Sequence, residues 1–171
     1  AKEYRVRDGS MDSSVRRFFS GGEFIRLGFD GGERTMALSL PTTSASRAKL
    51  PEFKVQAGLY EGGAARRDGA EQNKLAAEHV RNYGLCENAL NGIDLGVEQW
   101  PGNVKISAVF EKVSRAKEGL TLSAAFSGIT MKEAPDGSLE LSAAGKELAV
   151  LEAPVVYDGK GAVGKASYML S

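Results

Sequence analysis

Short turns made by Asp or Asn followed by Gly punctuate this chain from end to end, and they restrict its fold more than any other feature. Asp-Gly occurs five times, at Asp8-Gly9, Asp30-Gly31, Asp68-Gly69, Asp136-Gly137 and Asp158-Gly159, and Asn91-Gly92 adds a related pair. Gly reaches positive φ without a steric penalty, and the short Asp or Asn side chain bonds its own backbone, so these dipeptides close hairpins.

Those runs alternate as half-buried strands do. Ile25, Leu27 and Phe29 share one face of residues 23–29, and Met36, Leu38 and Leu40 share one face of residues 34–40 beyond the Asp30-Gly31-Gly32 turn. Pro41 ends that hairpin, because proline cannot donate to a ladder. Phe53, Val55, Ala57 and Leu59 alternate in a further strand. Residues 61–74 are polar and glycine-rich and read as a loop. In residues 70–83, Ala76, Val80 and Tyr83 recur at helical spacing, which predicts one short helix.

From Asn91 onward strands are predicted at 93–99, 104–110, 120–126, 129–133, 138–142, 147–151, 155–157 and 165–170. Strands at intervals of about 8–12 residues argue for an all-β fold, an antiparallel two-layer β-sandwich, rather than a parallel α/β sheet. A length of 171 residues fits one domain spanning residues 1–171. The first residue is Ala1 and no basic and apolar leader follows it, so the chain reads as a piece excised from a larger protein.

Charge excludes some partners. Lys and Arg number 22, Asp and Glu 22, and neither sign forms a long block, which argues against nucleic acid. No apolar run reaches the length of about 18 residues that a membrane-crossing helix needs, so membrane insertion is not expected. Cys86 is the only cysteine, which excludes an internal disulfide and reads as a small buried apolar residue.

A family resemblance lies in the C-terminal half. The segment Glu87-Asn88-Ala89-Leu90-Asn91-Gly92-Ile93-Asp94-Leu95, then Pro101-Gly102-Asn103-Val104-Lys105, resembles a module that precedes the repeats of large secreted or wall-associated bacterial proteins of the RHS or YD-repeat type. Gly128-Ile129 with Asp136-Gly137-Ser138 is similar to that family's hairpin, and Ala153-Pro154-Val155-Val156-Tyr157-Asp158-Gly159 to its closing segment. The chain departs from the pattern at Val97, where the family carries an aromatic residue, and at Ile106, where it carries an acidic one. The resemblance covers roughly residues 85–171. It implies an extracellular or cell-wall location, a structural or adhesive context, and partners among other modules of the same parent chain; it supplies no catalytic residues.

Candidate sites are few. His79 is the only histidine and belongs to no metal or triad motif. Gly21-Gly22, Gly31-Gly32 and Gly62-Gly63 lack the spacing of a phosphate loop and read as turns. No motif calls for a cofactor or a resident metal, although Asp30, Glu33, Asp136 and Asp158 are oxygen donors of the kind calcium uses. Asp94, Glu98 and Glu111 are the carboxylates that a glycoside hydrolase would draw on, needing two about 5–10 Å apart; Asp94 is expected to bond local backbone instead.

Trp100 and Tyr60 are the candidate ligand-binding residues, since aromatic faces give large contact area at low entropic cost. Three functions are therefore carried forward. The first is a non-catalytic structural or adhesion module, which contacts other modules or a cell-surface glycan or protein. The second is a carbohydrate-binding module acting through Trp100 and Tyr60. The third and least supported is a carboxylate-dependent hydrolase.

Overall fold

A computed structural model describes residues 3–6, 11–20, 22–40, 52, 54–61, 65–66, 80–100, 102–158, 160–161 and 163–170. The fold is all-β with antiparallel sheets, as the turn spacing predicts, and the described residues include one short α-helix. Contacts divide the chain into two compact units, residues 1–125 and 126–171. Leu139, Leu141 and Ala143 of the second unit are buried.

The first unit is sandwich-like and holds two five-stranded sheets. One runs β1 (Glu3–Val6), β2 (Met11–Ser20), β3 (Glu23–Phe29), β4 (Arg34–Ser39) and β10 (Ser123–Ser127), the last straddling the division between units. The other has the order β6 (Ala65–Arg66), β5 (Lys54–Glu61), β7 (Val80–Leu90), β8 (Ile93–Trp100) and β9 (Asn103–Phe110).

Register decides which side chains meet. Met11 pairs with Phe29, Ser13 with Leu27 and Val15 with Ile25, while Ile25 pairs with Leu38 and Leu27 with Met36, so these residues line one face of the first sheet. On the second sheet Cys86 faces Leu95, and Val97 lies between Gly84 and Ile106. Both faces are apolar and buried, with Val15, Phe29 and Met36 on one and Leu95, Val97 and Cys86 on the other. They meet at a polar point: Gln99 Nε2 donates to the Ser13 carbonyl at 3.2 Å and to Ser13 Oγ at 3.1 Å, with both residues buried.

One irregularity adds to the core. Glu23 pairs with Ser39 but Ile25 with Leu38, which leaves Phe24 as an extra residue, a β-bulge. Alternation breaks there, and Phe24 and Ile25 are both buried although they are neighbours.

The described turns behave as the dipeptides predict; Asp8-Gly9, Asp68-Gly69 and Gly159 lie outside the described residues. Asp30, Gly31 and Gly32 all have positive φ and form a short 3₁₀ turn between β3 and β4. Asn91-Gly92 joins Leu90 to Ile93 with Gly92 at φ +77°. Two elements differ from expectation. Val80–Tyr83 is not helical but opens β7, because its backbone pairs on two sides: Leu59 with Val80 on β5, and Tyr83 with Glu98 on β8. Ladder bonds to two neighbours outweigh a thin helical stripe. Residues 70–79 lie outside the described residues. Among the described residues the α-helix is α1 (Val113–Glu118), an exposed stretch that ends at Gly119 with φ +80°.

In the second unit β11 (Thr130–Glu133), β12 (Leu139–Ala143) and β13 (Lys146–Leu151) form a meander, and β14 (Val155–Tyr157) pairs with β15 (Val163–Lys165) in a ribbon. The strand expected at 165–170 is therefore shifted: only Lys165 of that stretch is in the ladder. Tyr168 lies beyond it, its hydroxyl donating to the Glu152 carbonyl at 2.6 Å.

Candidate functional site

The outer face of the second sheet carries the described aromatic site. Val97 and Gln99 point into the core, so the alternate residues Asp94, Gly96, Glu98 and Trp100 of β8 belong to the opposite face. Across the ladders, Glu98 lies between Tyr83 on β7 and Lys105 on β9, and Gly96 between Leu85 and Ser107. Trp100 pairs with Asn103 at the hairpin end, where Gly102 turns the chain at φ +72°.

Tyr83 leans across this face. A Cβ built on Gly96 would lie 3.8 Å from the Tyr83 hydroxyl, so the ring extends from its own strand over the bare backbone of β8. Tyr83 is 37% exposed and Trp100 half-buried. Tyr83 and Trp100 are diagonal neighbours on this face, a relation in which Cβ atoms lie roughly 7–8 Å apart or less, while the Tyr83 hydroxyl is directed toward Gly96, on the far side of Glu98 from Trp100.

Of the two aromatic residues singled out in the sequence, Trp100 is thus part of the site. Tyr60 lies in β5 with its backbone paired to Arg66; its side chain is outside the described residues. Tyr83 was hidden behind its helical spacing. The signal that reveals it is Asn91-Gly92 itself, because a two-residue hairpin turn requires a strand before it as well as after.

The carboxylates are mostly occupied by local structure. Asp94 Oδ1 accepts the Asn88 N–H at 2.8 Å, and Asn88 Oδ1 accepts the Gly92 N–H at 3.2 Å, which together hold a bulge where Asn88 has φ +51°. That is the local backbone bond expected of Asp94. Asp94 and Glu98 are four residues apart on one strand, about 13 Å at a rise of roughly 3.3 Å per residue, beyond the spacing of a glycosidase pair. Glu111 sits outside β9, its N–H bonded to the Gly92 carbonyl at 2.9 Å.

Asp30 accepts Arg34 Nε at 2.9 Å, and Asp158 accepts the Lys160 N–H at 2.8 Å. No group of three or more potential metal ligands occurs among the described residues. His79 lies outside them. A shallow cavity of about 260 Å³ beside α1 contains Glu111, Lys112, Arg115 and Glu118. Its charges balance, and Arg115 is held by Glu118 at 2.7 Å and by the Asn91 carbonyl at 3.4 Å.

Asp136 has the clearest electrostatic signature. Its Oδ1 accepts the Ser138 hydroxyl at 2.6 Å and the Ser138 N–H at 2.9 Å, and these bonds, the hydroxyl first, hold its carboxyl below the ordinary value of 3.8. A depressed folded pKa contributes stability above the unfolded value that is lost as pH falls through the folded one. Asp136→Ala is accordingly expected to lower the melting temperature at pH 7. The gap to the unchanged chain should narrow as pH falls below 3.8, which melting curves taken along a pH series would show.

Comparison with known protein families, curated proteins and solved structures returned no match.

Proposed function

We propose that the chain is a non-catalytic structural or adhesion module of a larger extracellular bacterial repeat protein, acting through contacts with neighbouring modules. The observation that carries this reading is the apolar surface of the second unit. Val155, Val156 and Tyr157 are exposed in succession, at 57%, 42% and 68%, so both faces of the β14–β15 ribbon present apolar side chains to solvent. Leu170 and Met169 are exposed as well. A two-stranded ribbon is marginal by itself, and apolar surface of this kind belongs to contact sites.

Polar side chains support the same view from the other side. Asp94, Asn88, Asp136 and Glu23 bond their own turns or neighbouring arginines, Glu23 lying 2.7 Å from Arg16 and 2.8 Å from Arg26. These residues hold the scaffold. The family resemblance around Asn91-Gly92 and Ala153-Pro154 supplies the extracellular, repeat-protein setting.

Tyr157→Asp tests the proposal. In the chain alone the residue is exposed, so the change is expected to alter stability by no more than about 0.5 kcal/mol. In the whole parent protein, where a neighbouring module covers the ribbon, the same change should lower the melting temperature by several degrees, and protease added to intact cells should reach the parent chain. Equal effects in both settings, or protection until the cells are lysed, would overturn the proposal.

A further inference from the structure

We infer that the outer face of the second sheet, anchored by Tyr83 and Trp100, binds a neutral glycan built of pyranose rings. Pyranoses present flat C–H faces that pack on aromatic rings, and hydroxyls that both donate and accept. The site offers both halves of that chemistry. Tyr83 lies low over Gly96, where a side chain on β8 would otherwise stand beside the ring. Trp100 lies two residues beyond Glu98, the register partner of Tyr83, and the Tyr83 hydroxyl reaches the other way, to Gly96, so the two aromatic groups are spread along β8.

The polar groups of this face match hydroxyls. Glu98 is an acceptor, Lys105 opposite it a donor, and Asn103 opposite Trp100 is both. Lys105 and Asn103 are exposed. Glu98 and Lys105 cancel beside the rings, and Asp94 on the same face adds negative charge, so nothing here selects a phosphate or a nucleic acid. A sheet surface is flat rather than enclosing, which suits several units of an extended chain better than a single buried sugar.

This inference goes beyond the structural role proposed above and does not depend on it. A sheet with this register would present the same face whatever its parent protein or location, and the two ideas fail separately: one concerns the second unit, the other β7 to β9 of the first.

Trp100 is the only tryptophan, so its emission reports on the site directly. Cellohexaose, chitohexaose and maltohexaose are the probes, each titrated into the full chain. At least one is expected to change the emission saturably, with a dissociation constant between micromolar and millimolar. Tyr83→Ala, which keeps the reporter, should weaken that binding about tenfold or more, as truncating an aromatic anchor does. Trp100→Ala should abolish retardation in a gel containing the corresponding polysaccharide. Lys146→Ala, in the second unit, should change neither, and circular dichroism should show all three variants folded. No change of emission with any probe at about 10 mM, or undiminished binding by both aromatic variants, would overturn the inference.

Discussion

Replacing Phe24 by alanine is expected to destabilise the first unit by about 3–5 kcal/mol, the range for truncating a fully buried aromatic side chain. Phe24 has 0% exposure and occupies the bulge of β3, and its neighbours Glu23 and Ile25 are paired to both β2 and β4, so the backbone cannot simply collapse into the space left behind. Domains of this size are stable by only about 5–15 kcal/mol in total, so a substantial fraction of the variant should be unfolded in moderate urea. Urea curves followed by circular dichroism and by Trp100 emission would measure the loss. Met169→Ala is the matched comparison: at 91% exposure it should cost no more than about 0.5 kcal/mol. A Phe24→Ala loss below about 1 kcal/mol would mean that the bulge does not direct this ring into a packed core.

Phe24 also marks a limit of what the sequence discloses. The β3–β4 hairpin is legible because Ile25, Leu27 and Phe29 alternate against Met36 and Leu38 across a turn that glycine makes easy. Phe24 falls out of that period and looks like an outward residue, because a bulge is a property of two strands in register and not of one segment. The same holds for Val80–Tyr83, whose helical spacing is outweighed by ladders to β5 and β8 that lie distant in sequence or follow only after the next turn. Met11–Ser20 is an unanticipated strand for a related reason: Ser13, Ser14 and Arg16 obscure its alternation, yet Ser13 is buried because Gln99 reaches it from the other sheet.

The candidate site divides in the same way. Trp100 is legible, since an aromatic residue just before a Pro-Gly turn stands out in any reading of the chain. Tyr83 becomes visible only when β7 is set beside β8 and Gly96 is seen to leave the space its ring covers. Asp94 is legible in role because Asn88 and Gly92, the groups it helps to hold, lie within the same short turn.

Gln99 is the polar residue whose chemistry the core can least tolerate changing, and Gln99→Glu is expected to destabilise by about 3–5 kcal/mol at pH 7, as an unpaired buried charge does. Gln99 is 1% exposed, and its amide donates both to the Ser13 carbonyl and to Ser13 Oγ. A carboxylate of the same shape has no proton to give the carbonyl, so two oxygens would face each other without water. Gln99→Met, which removes the bonds without adding charge, should cost less, about 1–3 kcal/mol.

Acidity separates the two causes. Burial raises the introduced carboxyl above its unfolded value of about 4.3. Below that pH both states hold the proton, and the protonated group can donate to the Ser13 carbonyl, so the penalty is smallest there. As pH rises, the unfolded chain releases its proton first, stability falls, and the loss is complete only above the folded pKa. Urea midpoints for the Gln99→Glu and unchanged chains should therefore draw apart from about pH 4 to pH 8, while Gln99→Met keeps a nearly constant gap. A constant gap for Gln99→Glu would mean that water reaches position 99 and that the two sheets do not close over Ser13.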